Sequence, residues 1–83
     1  MTKVDTLKQK FIRNPASIRY SELRKILAHS GFEEIHTKRG SHVKFKHTEL
    51  SADIIIPVHH NECKDFYKKE VLKIAKDIIL SKS

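Results

Sequence analysis

The chain carries a single cysteine, Cys63, in 83 residues. One thiol excludes an internal disulfide framework, so the fold must rest on packing, and a reducing compartment is expected. Long apolar runs are also missing. No stretch approaches the roughly 20 residues needed to span a bilayer, and Met1-Thr2-Lys3 is not followed by an apolar signal core. These absences predict a soluble, cytoplasmic protein with no membrane partner. Glycine and proline are scarce, at two residues each, and each marks a place where the chain stops or turns. There is no internal repeat and no low-complexity segment.

Acidic residues are the minority charge. Ten Asp and Glu face 17 Lys and Arg, giving a net charge of +7 and a pI near 9.7. Each Lys or Arg placed on a phosphate releases a condensed counterion, so this balance is the footprint of a polyanion partner. A solvated lysine-rich surface, or an acidic protein partner, is the competing explanation. A chain this short buries roughly 60% of its unfolded surface. That leaves one thin core, no deep enclosed pocket, and a site that must be shallow.

The hydrophobic period sets the order of elements. Val4, Leu7, Phe11 and Ile12 recur at helical spacing, and Asn14-Pro15 ends that first helix. Ala16 to Arg19 reads as a linker, so residues 1–19 form a helix with linker and residues 20–83 the main domain. Ser21 reads as an N-cap for a second helix with Leu23, Ile26 and Leu27 inside and Gly31 after its end. Three strands follow: Phe32 to Lys38, Ser41 to Lys46, and Ile54-Ile55-Ile56, which Pro57 stops. Arg39-Gly40 makes the first turn and His47 to Ala52 a polar second one. Asp65 can cap a last helix from about Phe66 to Leu80, with Tyr67, Val71, Ile74, Ala75 and Ile78 inside and Lys68, Lys69, Lys73 and Lys76 outside. The fold class is therefore α+β: a helix, a three-stranded antiparallel sheet and a helix, with an extra N-terminal helix.

Chemistry concentrates between Ile35 and Thr48, a stretch without one acidic residue. It holds Lys38, Arg39, Lys44 and Lys46 together with His36, His42 and His47. In the second strand Val43 and Phe45 point one way, while His42, Lys44 and Lys46 point the other. Lysines there can hold phosphate oxygens and stabilise developing negative charge. An imidazole, with a reference pKa near roughly 6.5, can exchange a proton at physiological pH. A solvated face with an incidental histidine, and a hairpin that needs its glycine, would account for the same residues.

Gly31-Phe32, Lys38-Arg39-Gly40-Ser41-His42, Phe45 and Ile56-Pro57-Val58-His59 together resemble the HicA toxin family of messenger RNA interferases. The resemblance runs from about Tyr20 to Ile79, and Gly40-Ser41-His42 followed by Phe45 is its specific part. It implies a fold similar to double-stranded RNA-binding domains and cleavage of messenger RNA without a metal or cofactor. It also implies neutralisation by a HicB antitoxin. His42 corresponds to the catalytic histidine, with Lys38, Arg39, Gly40, Ser41, Lys44 and Lys46 as the expected RNA-binding set. His36 departs from the family, which more often has arginine there. Asn14-Pro15 fits its longer members.

Three other readings compete. His59, His60 and Cys63 lack the spacing of a zinc site, and Cys63 has no acyl-transfer motif around it. The third is a non-catalytic module that recognises double-stranded RNA by shape. It needs the basic face but not a titratable group at His42.

Overall fold

A computed structural model describes residues 3–37 and 40–81. The element order is the expected one: helix α1 (Lys3–Arg13), a 3-10 turn (Pro15–Ser17), helix α2 (Tyr20–His29), strands β1 (Glu33–His36), β2 (His42–Lys46) and β3 (Ile54–Pro57), and helix α3 (Asp65–Ser81). The strands form one antiparallel sheet in the order β1-β2-β3. One face of it packs on the helices and the other stays open.

Each boundary has a local cause. At the start of α2 the Arg19 N–H donates to Glu22 Oε1 at 2.9 Å, while the Tyr20 N–H donates to the Glu62 carboxylate at 3.1 Å. Two carboxylates thus satisfy amides the helix leaves unpaired, and Ser21, expected as the cap, lies exposed inside the first turn. At the other end Gly31 adopts φ 92°. Gly31 N–H then donates to Ala28 O and Phe32 N–H to Leu27 O, the paired bonds of a Schellman motif. Phe32 is spent on that closure, so β1 begins one residue later than the sequence indicates.

The core runs through all layers. Phe11 of α1, Leu23, Ile26 and Leu27 of α2, Val43 and Phe45 of β2, Ile54 and Ile56 of β3, and Val71, Ala75, Ile78 and Ile79 of α3 are among its buried members. Phe11 has no exposed surface. Burying such a side chain stabilises by about 1.5–3 kcal/mol, enough to hold α1 against the domain. The stretch read as a linker is also built in. Ser17 N–H and Oγ both bond to Asn14 O, and Ile18 enters the core.

The last helix is rotated from the expected setting. Ile74, placed inside by the sequence pattern, is half exposed, and Lys68, placed outside, is buried. The buried set is Lys68, Val71, Ala75, Ile78 and Ile79. Both patterns satisfy helical spacing, so the choice falls to what the helix docks on. Docking on the 3-10 turn brings the Lys68 ammonium 2.8 Å from Ile18 O and 2.9 Å from Glu62 Oε1. A buried lysine is tolerated because a carboxylate balances its charge and two acceptors take its protons.

Candidate functional site

The alternation of β2 comes out as expected: Val43 and Phe45 are buried, while His42 and Lys46 are exposed. Register then decides what surrounds them. His42 pairs with Pro57, Lys44 lies between Ile35 and Ile55, and Lys46 lies opposite Glu33. Directly opposed residues share a face. Among the paired strand residues, the open face therefore carries His42, Lys44 and Lys46 with Ile35, Ile55, Pro57 and the acid Glu33. Lys46 thus has an acidic neighbour that the charge pattern of residues 35–48 did not include.

The turn before β2 presents His42. Gly40 has φ +68°, with no atom within 4 Å of where a Cβ would sit. Backbone conformation rather than crowding asks for glycine there. The Ser41 carbonyl accepts the Val58 N–H at 2.6 Å, and the His42 carbonyl accepts the Thr37 hydroxyl at 3.0 Å. These bonds fix the main chain on both sides of the His42 Cα and involve none of its ring atoms. Lys38 and Arg39, expected among the RNA-binding residues, lie outside the described residues.

The two other histidines of this stretch leave the site. His36 pairs with Val43, which puts it on the helix side of the sheet. There its Nε2 meets Glu34 Oε2, and Arg24 reaches the same carboxylate with bonds of 2.7 and 2.8 Å. Burial pushes the Glu34 pKa up, but the bonds from Arg24 and His36 outweigh it and hold the group below its ordinary value. His47 is buried against Phe32, with ring centroids 4.8 Å apart. Its Nδ1 accepts the Glu49 N–H and its Nε2 lies 3.2 Å from Ser30 O. An accepting Nδ1 puts the proton on Nε2, so both ring nitrogens are engaged and His47 is a structural residue. Odd and even positions of a strand cannot share a face, and residue 47 follows residues 43 and 45 inward.

The segment after β3 is ordered by a tight turn. His59 N–H donates to Glu62 O at 2.8 Å and Glu62 N–H to His59 O at 3.0 Å. His60 and Asn61 both take positive φ, 52° and 60°, the two-residue form that closes a hairpin. The turn stands at the sheet end that holds Ser41 and His42, because Val58 is bonded to Ser41. It also walls an open groove of about 540 Å³ with Arg19, Tyr20, Ser21 and Arg24. The corner takes this conformation without a glycine, so its residue types do not announce it. Cys63, next in the chain, is buried, and that burial pushes its thiol up to about 11. A thiol so protonated is a poor nucleophile.

No group of three or more metal-binding side chains converges among the described residues, and no helix there is long and apolar enough to cross a membrane. The model of a protein family described as the HicA toxin of bacterial toxin–antitoxin systems matches residues 20–77. That span takes in α2, the whole sheet, the His59–Glu62 turn and most of α3. No curated protein and no solved structure is similar enough to count as a match. The match covers well over half of the chain, and the chain belongs to the HicA toxin family, as the toxin partner of an antitoxin.

Proposed function

We propose that the chain is an endoribonuclease that cleaves messenger RNA without a metal, with His42 as general base. One observation carries the reading. His42 is an exposed imidazole with its main chain pinned on both sides, on an open sheet face shared with Lys44 and Lys46. The imidazole takes the proton of a ribose 2′-hydroxyl, and that oxygen attacks the adjacent phosphorus. The P–O5′ bond breaks, giving a 2′,3′-cyclic phosphate and a 5′-hydroxyl end. Lys44 and Lys46 hold phosphate oxygens as charge builds, with Gly40 and Ser41, and with Lys38 and Arg39, which precede them in the sequence, in the same binding set. DNA has no 2′-hydroxyl and is not a substrate for this step.

The open face is also where an antitoxin can act. The reading extends to a HicB-type partner, acidic where it meets this +7 chain, that covers His42 and competes with RNA in the cytoplasm. Residues 20–83 are the RNA-acting unit, preceded by the helix and turn of residues 1–19.

The test is single-stranded RNA in EDTA, incubated with the wild-type chain and with His42→Ala. Wild type should cut RNA and spare the matching DNA; His42→Ala should bind RNA but not cut it. Cutting by His42→Ala at the wild-type rate would remove His42 from the role. Intact RNA in a salt-sensitive complex with wild type would replace the nuclease by a binding module.

A further inference from the structure

We propose that His59 is the second proton-transfer group of this site, a general acid that protonates the leaving 5′ oxygen. The proposal rests on the ribonuclease reading and deepens it.

The ladder between β2 and β3 does not end at Pro57. Val58 N–H donates to the Ser41 carbonyl at 2.6 Å, which continues the pairing past the strand. The Val58 side chain packs against the core. Alternation then turns Pro57 and His59 to the opposite side, the open face that carries His42. Because His42 and Pro57 are direct partners, His59 is the diagonal neighbour of His42. Such positions are about 7–8 Å apart between Cα atoms. A ribose 2′-hydroxyl that donates to one imidazole and a bridging 5′ oxygen that accepts from the other, each over about 3 Å, fit between two rings set that way.

The turn holds His59 in place. Its main chain is bonded to Glu62 in both directions, and Glu62 is tied down in turn. The Glu62 carboxylate accepts from Tyr20 N–H, Cys63 N–H and the Lys68 ammonium. The carboxylate nearest His59 in the chain is therefore committed elsewhere and does not bind the ring. Other charged groups near the turn are Arg19 at the start of α2 and Arg24 within it, which line the groove with His60, and Asp65, whose carboxylate lies 3.8 Å from the Lys68 ammonium. This is a setting for RNA phosphate rather than for a stable carboxylate–imidazole pair.

The step balances with two groups. The 2′-oxygen gives its proton to His42 and forms the new bond to phosphorus. The P–O5′ bond breaks, and O5′ takes a proton from the His59 imidazolium. The enzyme is left with His42 protonated and His59 neutral, and exchange with water restores both. No electrons change hands.

The experiment compares two oligoribonucleotides, one with the natural bridging 5′ oxygen and one with sulfur in its place. A thiolate leaves without a proton, so it needs no acid. His59→Ala should cut the oxygen substrate about 10²–10³-fold more slowly than wild type and the sulfur substrate at close to the wild-type rate. His42→Ala should be slow on both. His59→Gln, which keeps a polar side chain on the turn, should give the same pattern with an unchanged unfolding midpoint. Equal slowing on both substrates, or no slowing on either, would overturn the acid role while leaving His42 as base. A wild-type chain that cuts neither substrate would overturn the ribonuclease reading and this one with it.

Discussion

The Lys68 ammonium sits 2.9 Å from Glu62 Oε1, and through that carboxylate α3 holds the start of α2 and the His59–Glu62 turn together. The lysine is buried while the Glu62 side chain is 45% exposed. Lys68→Met keeps the stem and removes the charge. Glu62 would then face water rather than a dry cavity, so the full 3–5 kcal/mol of a broken buried pair does not apply. The loss of the bonds to Glu62 and Ile18 O should cost about 1–3 kcal/mol. Urea unfolding measures it. On the reading above, RNA cleavage should fall as well, since His59 loses its fixed main chain. An unchanged midpoint would show that the pair contributes nothing net.

Two carboxylates should govern the acid limb of stability. For Glu62, as for Glu34, burial raises the pKa but hydrogen bonds win: from Lys68, Cys63 N–H and Tyr20 N–H in one case, from Arg24 and His36 in the other. Both groups end below their ordinary value of 4.5. A depressed carboxyl stabilises fully above its unfolded pKa and loses that contribution as pH falls through the folded one. The thermal midpoint should therefore hold down to about pH 5 and fall below it. Glu34→Gln should flatten part of that fall, and a slope identical to wild type would exclude Glu34 from it.

Tyr20 and Cys63 act at the other limb. Burial pushes the Tyr20 phenol from 10.0 to about 12 and the Cys63 thiol from 9.0 to about 11. The folded state holds both protons more tightly than the unfolded chain does. Stability is then complete below pH 9 and declines as pH rises from there toward 12. Tyr20 Oη is also buried with no hydrogen-bond partner among the described residues. Tyr20→Phe should raise stability at neutral pH, by about 1 kcal/mol, and remove the tyrosine share of the alkaline decline. Destabilisation by this change would point to a partner for the hydroxyl.

Much of the architecture is legible in the residues. Val43 and Phe45 alternating with His42, Lys44 and Lys46 gave the facing of β2, and Gly31 gave the end of α2, because strand period and positive φ are local properties. The facing of α3 was not legible. Ile74 and Ile79 compete for the same inner stripe on spacing alone, and only docking on Ile18 and Glu62 selects the setting that buries Lys68. The site divides the same way. His42 and its two lysines follow from one strand, whereas removing His36 and His47 and setting Val58 against Ser41 need the pairing of other segments. Phe11 gives a direct check on the first helix. Phe11→Ala should cost about 3–5 kcal/mol in urea unfolding if α1 is part of the core, and close to nothing if it were an arm.

Lys44 and Lys46 should contribute unequally to RNA binding. Both stand on the open face, but Lys46 lies opposite Glu33, while the neighbours of Lys44 across the sheet are Ile35 and Ile55. A carboxylate beside Lys46 already balances part of its charge, and a phosphate placed there meets Glu33 as well. The apolar neighbours of Lys44 exclude water and leave its charge less screened. Lys44→Gln should therefore weaken RNA binding more than Lys46→Gln, with a loss of about one unit in the slope of log affinity against log salt. Glu33→Gln should strengthen binding through Lys46. Titrating the three variants in the His42→Ala background, at several salt concentrations, separates binding from cleavage. Equal losses for the two lysines would mean that Glu33 does not modulate the face and that RNA follows a path register alone does not set.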